Sequence, residues 1–541
     1  MLRYLYYGDK LIELQVDTNS TNLEKYGGRT LFGEKTIDNN VIFTIDGEET
    51  FRLIHDMINQ AKSTISITSY DIDPKLHLIR NSELSHQHQS SSINEKSFIS
   101  NKEDNKPNSN SKSSLNTNHI LENLLIQKAI EGVSINILVW EPKFFIRNFP
   151  GSKARGIGAR EVKLKTIRKL AKLHGVESLI NFRIDNMAPT YTSGLHEKII
   201  ILDNKVGFCG GFDLMSDKWD TSSHDFDNYL RDDDYPPWHD IHFMITGAAI
   251  WDLIFHFNQR WTYSLTKNIH KTRNAKINSI HSFNSPYSLV TPKEIGTKAE
   301  IQAFRTWRSI DENKDKNYVS GIYSWYELLF KRAKNSIYIE DQFPFQDRSI
   351  TQVLGQQLKL EKNLKVIIVG PMKPNLPGFF LSTISKESIN DINNNLSYLR
   401  EIGEGRVKTY SLVSQHREIA QKRQQIYVHS KLMIVDDCWM KIGSANMDKK
   451  GFQDSVEFDL GITSPELSKK LRIRLWKEHL NLKDDLTHTV NVDNFEEGYE
   501  EWMKLAYNNG KRVQNNEPIN GPVYYYNFEE MNFPSPYLNA K

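Results

Sequence analysis

The chain has 541 residues, 38% of them hydrophobic and 11% aromatic, which is enough for roughly two to four domain-sized units with buried cores. Its 69 basic and 67 acidic residues leave a formal charge of +2, excluding the broad positive field of a dedicated nucleic-acid binder. The two cysteines, Cys209 and Cys438, provide neither a disulfide framework nor a CxxC metal pair, which fits a reducing compartment.

The N-terminal stretch MLRYLYYGDKLIEL lacks a basic region followed by a long apolar run, and no window reaches about 18 uninterrupted apolar residues. Neither a signal peptide nor a membrane span is expected, and the expected location is cytoplasmic. After an extension over 1–40, residues 51–73 read as helix then strand, and 119–140 repeat that order. Between them, residues 81–118 are rich in Ser, Asn, Lys and Gln and nearly devoid of apolar side chains. Such a segment cannot offset its ordering entropy, so it is expected to be a disordered insert. A helix over 154–174 places Leu164, Ile167, Leu170 and Ala171 on one face and Lys163, Lys165, Arg168, Lys169 and Lys172 elsewhere.

The chain then repeats itself. LLFKRAKNSIYIEDQ (328–342) has the helix-strand character of MINQAKSTISITSYD (57–71), LKVIIVG (364–370) that of VSINILVW (133–140), and VHSKLMIVD (428–436) that of LHEKIIILD (195–203). Thr68 lies 128 residues before His196 and Glu340 lies 89 before His429. The difference, 39, is close to the length of the insert. The alternation of strands and helices predicts an α/β fold of two lobes with mixed β-sheets flanked by helices, related by a pseudo-twofold axis. The expected boundaries are 41–300 for the first lobe, 301–485 for the second and 486–541 for a C-terminal extension.

His196, Lys198 and Asp203 form HxKxxxxD, and His429, Lys431 and Asp436 form it again. One copy is a weak signal; two in matching context are a strong one. In both copies a glycine follows fourteen residues after the histidine (Gly210 in FCGGFD, Gly443 in KIGSANMD), and an acidic residue opens a later apolar strand (Asp240, Glu457). Histidine and lysine at i and i+2 of a strand share a face, where unpartnered they would cost free energy. Each lobe is therefore expected to aim its pair at a shared interface. Asp203 and Asp436 stand seven residues from their histidines, an odd offset that puts them on the opposite face or in the following turn. A structural role is expected for both.

At these residues the sequence resembles the phospholipase D superfamily, whose signature is a duplicated HxKxxxxD followed by a GSxN-like turn. GGFDLMSDKWDT, PWHDIHFMITGAAIWDLIFHFNQRW, SIYIEDQF, LPGF and IYVHSKLMIVDD resemble stretches of phosphatidylcholine-hydrolysing members, over about residues 41 to 485 apart from the insert. The resemblance implies that His196 attacks phosphorus to form a phosphohistidine. His429 would protonate the leaving alcohol and then activate water, or a primary alcohol in transphosphatidylation. Lys198, Lys431 and Asn446, with Ser444 assisting, would hold the phosphoryl oxygens. Asp240 is expected to orient His196, and Glu457 to orient His429. His224, after WDTSS, is a candidate substrate contact, and His239 is left outside the catalytic set. Gly211 and Asp213 stand where the second copy has Ser444 and Asn446, so the halves are not equivalent.

Neither cofactor nor metal is expected: there is no GxxxxGK[ST] loop, and HEKII (196–200) is not HExxH. The expected partners are a glycerophospholipid and a membrane surface touched transiently, with no nucleic acid; a monomer would suffice. The reading is phosphatidylcholine hydrolysis to phosphatidic acid and choline. Its rivals are a cardiolipin-synthase-type phosphatidyltransferase, a nuclease and a non-catalytic membrane scaffold.

Overall fold

A computed structural model describes residues 3–7, 10–14, 33, 35–80, 119–141, 159–185, 194–232, 235–266, 296–306, 320–372, 384–482 and 490–526. The insert 81–118, the LPGF stretch and the last residues of the aromatic tail lie outside them. Leu78 N donates to His119 O at 2.8 Å, so the chain leaves for the insert and returns from it at neighbouring points.

The hairpin β1 (Arg3–Tyr7) and β2 (Lys10–Leu14) stands apart from the main sheet. In the first lobe the strands are β3 (Thr36–Ile45), β4 (Thr64–Ser69), β5 (Ser134–Trp140), β6 (Ile180–Asp185), β7 (Ile199–Leu202), β8 (Val206–Gly210), β9 (Trp238–His239) and β10 (Ile241–Gly247). The second contributes β11 (Thr297–Thr306), β12 (Ser336–Asp341), β13 (Lys365–Val369), β14 (Val407–Gln415), β15 (Arg423–Val428), β16 (Lys431–Val435), β17 (Trp439–Gly443) and β18 (Glu457–Thr463), followed by β19 (Val523–Tyr525). The pairing runs β6-β5-β4-β7-β8-β10-β3 in one lobe and β14-β13-β12-β16-β17-β18-β11 in the other. In each, the first three strands are parallel and the rest antiparallel. β3 and β11 pair antiparallel and join the halves edge to edge. This is the mixed α/β architecture expected from the sequence.

The register bears out the internal repeat. Thr68 pairs with Ile199, three residues after His196, and Glu340 pairs with Leu432, three residues after His429. Both faces of these strands are covered, which is why they read as continuous apolar runs rather than alternating ones. Ile199 and Ile201 join a core shared by the lobes together with Leu432, Ile434, Phe243 and Phe458. Ile200 and Leu202 face the first lobe's own core, and Met433 and Val435 the second's. Truncating a shared-core side chain such as Ile201 to Ala would cost about 2–5 kcal/mol and loosen both halves at once.

Two outer pieces are tied to this frame. Of the expected apolar stripe on the helix Ala159–Leu173, Leu164, Ile167 and Ala171 are buried and Leu170 is half-buried, while Arg160 is buried as well and Lys163 turns inward to bond Asp71 at 2.8 Å. Over residues 490–526 the chain packs on the second lobe: the helix Phe495–Gln514 buries Trp502 against Trp476 and Tyr338, and β19 pairs with β14.

Candidate active site

Each histidine stands two or three residues ahead of a strand of its own lobe, His196 before β7 and His429 before β16, and is gripped by the other lobe. His196 N donates to Val456 O at 2.9 Å, and His429 N donates to His239 O at 2.8 Å. The residue after each acceptor supplies the carboxylate that meets the ring. Glu457 reaches His196 Nδ1 at 3.0–3.1 Å, and Asp240 reaches His429 Nδ1 at 2.6 Å. This corrects the expected partnership: Asp240 serves His429 and Glu457 serves His196, so the carboxylates are exchanged between lobes. A sequence repeat reveals that each copy has one carboxylate but not that the copies face each other, and facing each other is what crosses the pairs. In both cases a carboxylate on Nδ1 fixes the ring and leaves Nε2 for chemistry.

The lysines bind back to their own histidines. Lys198 Nζ donates to His196 O at 2.6 Å, and Lys431 Nζ to His429 O at 2.5 Å. Aromatic rings flank both sites: Tyr70, stacked on Trp140, meets His196 edge-on, and Trp238, stacked on Tyr427, lies 4.9 Å from His429. His196 is the more open imidazole, with a side chain 20% exposed against 8% for His429.

Burial dominates the electrostatics. Burial, then the charges of Lys198 and Lys431, holds His196 well below the usual imidazole range; burial and Lys431 do the same to His429. Burial pushes Glu457 up to about 8 and Asp240 up to about 6, and pulls Lys431 down to about 8. Burial alone would raise Asp213, but Lys198, 3.3 Å away, holds its carboxyl below the usual range.

The remaining expected residues sort by position. Asn446 is buried beside the second-lobe turn, and its Oδ1 has no hydrogen-bond partner among the described residues. Ser444, expected to assist at the phosphoryl oxygens, is fully buried and donates its hydroxyl to Glu457 at 2.6 Å. It therefore supports the carboxylate of His196 rather than facing the cleft. Asp203 accepts from the backbone N–H groups of Lys62, Ser63 and Thr64, and Asp436 from those of Lys334, Asn335 and Ser336. Both aspartates have φ near +50° and tie the start of β4 or β12 at the end of the strand away from the histidines. They are scaffold groups, as the odd offset implies, although they belong to the catalytic signature.

Sequence reasoning missed a buried constellation next to this centre. Asp46, His224, His239 and Glu478 bring one potential ligand atom each within 4.8 Å of one another. His224 Nε2 lies 3.4 Å from Asp46 Oδ2 and 3.6 Å from Glu478 Oε1, and His239 Nδ1 lies 3.4 Å from that same Oε1. These spacings and donor types could hold a divalent cation. Asp46 and His224 both sit at positive φ (62° and 47°), a strained geometry for non-glycine residues that the packing enforces. His224 is thus enclosed by carboxylates rather than open to substrate. His239 connects the two groups, since it precedes Asp240 and its carbonyl accepts from His429. The four residues are scattered through the chain without a motif; the only local signals are the histidines of WHD and WDTSSH.

Residues 110–351 match the phospholipase D family model, and residues 327–478 match the model described as cardiolipin synthase, PLD-like domain. The chain is 24% identical to phospholipase D alpha 4 of Arabidopsis thaliana over 461 residues, 67% of this chain and 58% of that protein. It is 27% identical to cardiolipin synthase 1 of Staphylococcus epidermidis over 326 residues, 58% of this chain and 54% of that protein. The chain thus spans somewhat more than half the length of these relatives. Among solved structures, phosphatidylserine synthase of Haemophilus influenzae aligns with a TM-score of 0.49 at 12% identity, covering 88% of this chain and 94% of the other. The two family matches each contain one of the two HxKxxxxD copies, and the chain carries phospholipase D superfamily domains.

Proposed function

We propose that this protein transfers phosphatidyl groups from glycerophospholipids through a phosphohistidine, with water as the principal acceptor. The observation that carries the reading is the reciprocal exchange: each imidazole is oriented at Nδ1 by the other lobe's carboxylate, with an ammonium tied to the same loop. His196, the more open of the two, attacks phosphorus through Nε2 while His429 protonates the departing head-group alkoxide. Lys198, Lys431 and Asn446 stabilise the charge that develops on the non-bridging oxygens. His429 then takes a proton from water, or from a primary alcohol, which displaces His196 from phosphorus. Phosphatidylcholine is the substrate assigned by the sequence resemblance, and a membrane surface is where it would be met. Among the described residues no helix is long and apolar enough to cross a membrane.

A second reading keeps the intermediate and changes the acceptor to the hydroxyl of phosphatidylglycerol, a cardiolipin-forming transfer. The match of residues 327–478 and the 27% identity to a cardiolipin synthase favour it. One experiment separates the two: incubation with mixed labelled phospholipids, phosphatidylglycerol among them, with and without a little ethanol. Free choline with phosphatidic acid, diverted to phosphatidylethanol by the alcohol, supports the first reading. Cardiolipin with released glycerol supports the second, and no phosphatidyl product from any lipid would sink both.

A further inference from the structure

The turn after the second signature is built around a buried ion pair that has no counterpart in the first. Lys441 and Asp459 are both fully buried, with Lys441 Nζ 2.9 Å from Asp459 Oδ2. The ammonium also donates to Ala445 O at 2.8 Å and Lys431 O at 3.2 Å. Asp459 Oδ1 accepts from Ser444 N at 2.8 Å and Ala445 N at 3.1 Å. A Cβ on Gly443 would sit 2.0 Å from that same oxygen, so the glycine is what lets the carboxylate lie beneath the turn. The pair therefore grips the turn from both sides, by two amides and one carbonyl, and grips the backbone of Lys431 as well.

The matching positions in the first lobe, two residues before Gly210 and two after Asp240, are Phe208 and His242, whose rings pack 6.3 Å apart. That turn is held instead through Asp213, which accepts from Ser69 Oγ and Tyr70 N and lies 3.3 Å from Lys198. In the second lobe Asn446 replaces that carboxylate, and Lys431 has the neutral Gln342 as its side-chain partner at 3.1 Å. An amide, and an ammonium that feels Asp240 and Asp341 but has neither in direct ion-pair contact, suit a bound anion, provided something else keeps the turn in shape.

We propose that Lys441 and Asp459 are a positioning pair that moulds turn 443–446 and the Lys431 backbone into the anion-binding half of the site, leaving Lys431 and Asn446 free for phosphoryl oxygens. The inference rests on the active-site reading above and deepens it. Charge burial on this scale is retained here for geometry, since replacing a buried pair by apolar residues commonly leaves stability unchanged or improved.

The test uses the full chain with inorganic phosphate as probe, read by calorimetry, alongside turnover of the phospholipid mixture. The double variant Lys441→Met/Asp459→Ala avoids an unpaired buried charge and is accepted as folded if its circular dichroism and melting cooperativity match the parent. We expect phosphate affinity to fall at least about tenfold, kcat to fall by about 10²-fold with KM changed less than about threefold, and Asn446→Ala to add little further loss in the double variant. Lys441→Arg alone, which keeps the charge pair with Asp459, should retain part of both. Phosphate binding and kcat equal to the parent's in the double variant, or a parent that binds no phosphate, would overturn the proposal. A parent that binds phosphate in a Lys441-dependent way but turns over no phospholipid would instead retire the lipid reading and keep the pair.

Discussion

The two lobes share a skeleton and differ in their charges. Backbone bonds, strand register, the crossed carboxylates and even the aspartates that tie β4 and β12 correspond position for position. Around that skeleton, the first lobe's lysine is neutralised by Asp213, whereas the second's is paired with an amide and has its pKa pulled down to about 8 by burial. The shared skeleton sets where the groups point, while a few differing side chains give one half a lysine in direct contact with a carboxylate and the other a lysine held by an amide. A site of this kind can assign different tasks to two histidines that occupy equivalent positions.

The sharpest way to break the equivalence is at the histidines. His196→Ala should lower head-group release by at least about 10³-fold with an unchanged melting temperature, because it removes the nucleophile outright. His429→Ala should be similarly slow in steady state, yet accumulate phosphohistidine from a substrate whose leaving group needs no proton, such as a nitrophenyl ester. Labelled phosphate found on neither variant would mean that the lobes do not divide the labour in this way.

Next in size is the carboxylate exchange. Glu457→Gln should slow formation of the phosphoenzyme, and Asp240→Asn its breakdown, each by about 10²–10⁴-fold, the range seen when the group orienting a catalytic histidine is lost. Single-turnover kinetics separates the steps, and the uncrossed pairing expected from the sequence alone predicts the reverse.

The pH profile sharpens the comparison further. As pH falls through about 8, the Glu457–His196 pair takes up a proton; whichever partner holds it, hydrogen then occupies His196 Nε2 and attack is blocked. As pH rises through about 8, Lys431 loses its charge and with it phosphoryl-oxygen stabilisation. We expect a narrow optimum near 8, with Glu457→Gln moving the acid limb to lower pH and Lys431→Arg moving the alkaline limb higher. A flat profile from pH 6 to 9 would contradict both assignments.

How much of this was legible in the sequence follows from what a linear pattern encodes. The repeat and its register were readable because strand pairing carries the same offsets in both copies, Thr68 to Ile199 and Glu340 to Leu432. The scaffold role of Asp203 and Asp436 followed from strand parity. Parity says nothing of contacts across a lobe interface, so the crossed carboxylates and the turn of Ser444 toward Glu457 were lost. The cluster of Asp46, His224, His239 and Glu478 was lost for a related reason: its members come from a helix start, a loop, a short strand and a distant helix end.

The smallest effect tests the part of the first lobe that the second lacks. Residues 81–118 have no counterpart between β12 and β13, and the chain on either side is pinned by the bond from Leu78 N to His119 O. Deleting residues 84–115 shortens the path between those anchors from 40 residues to 8, about fivefold. Loop-closure entropy falls only with the logarithm of length, so the shortened protein should gain about 1.4 kcal/mol of stability at most, visible as a slightly higher melting temperature. Turnover should stay within about twofold of the parent, since no group assigned to the site lies in the deleted stretch. A collapse of folding would mean that the insert packs against the first lobe and that the two halves are less alike than their registers suggest.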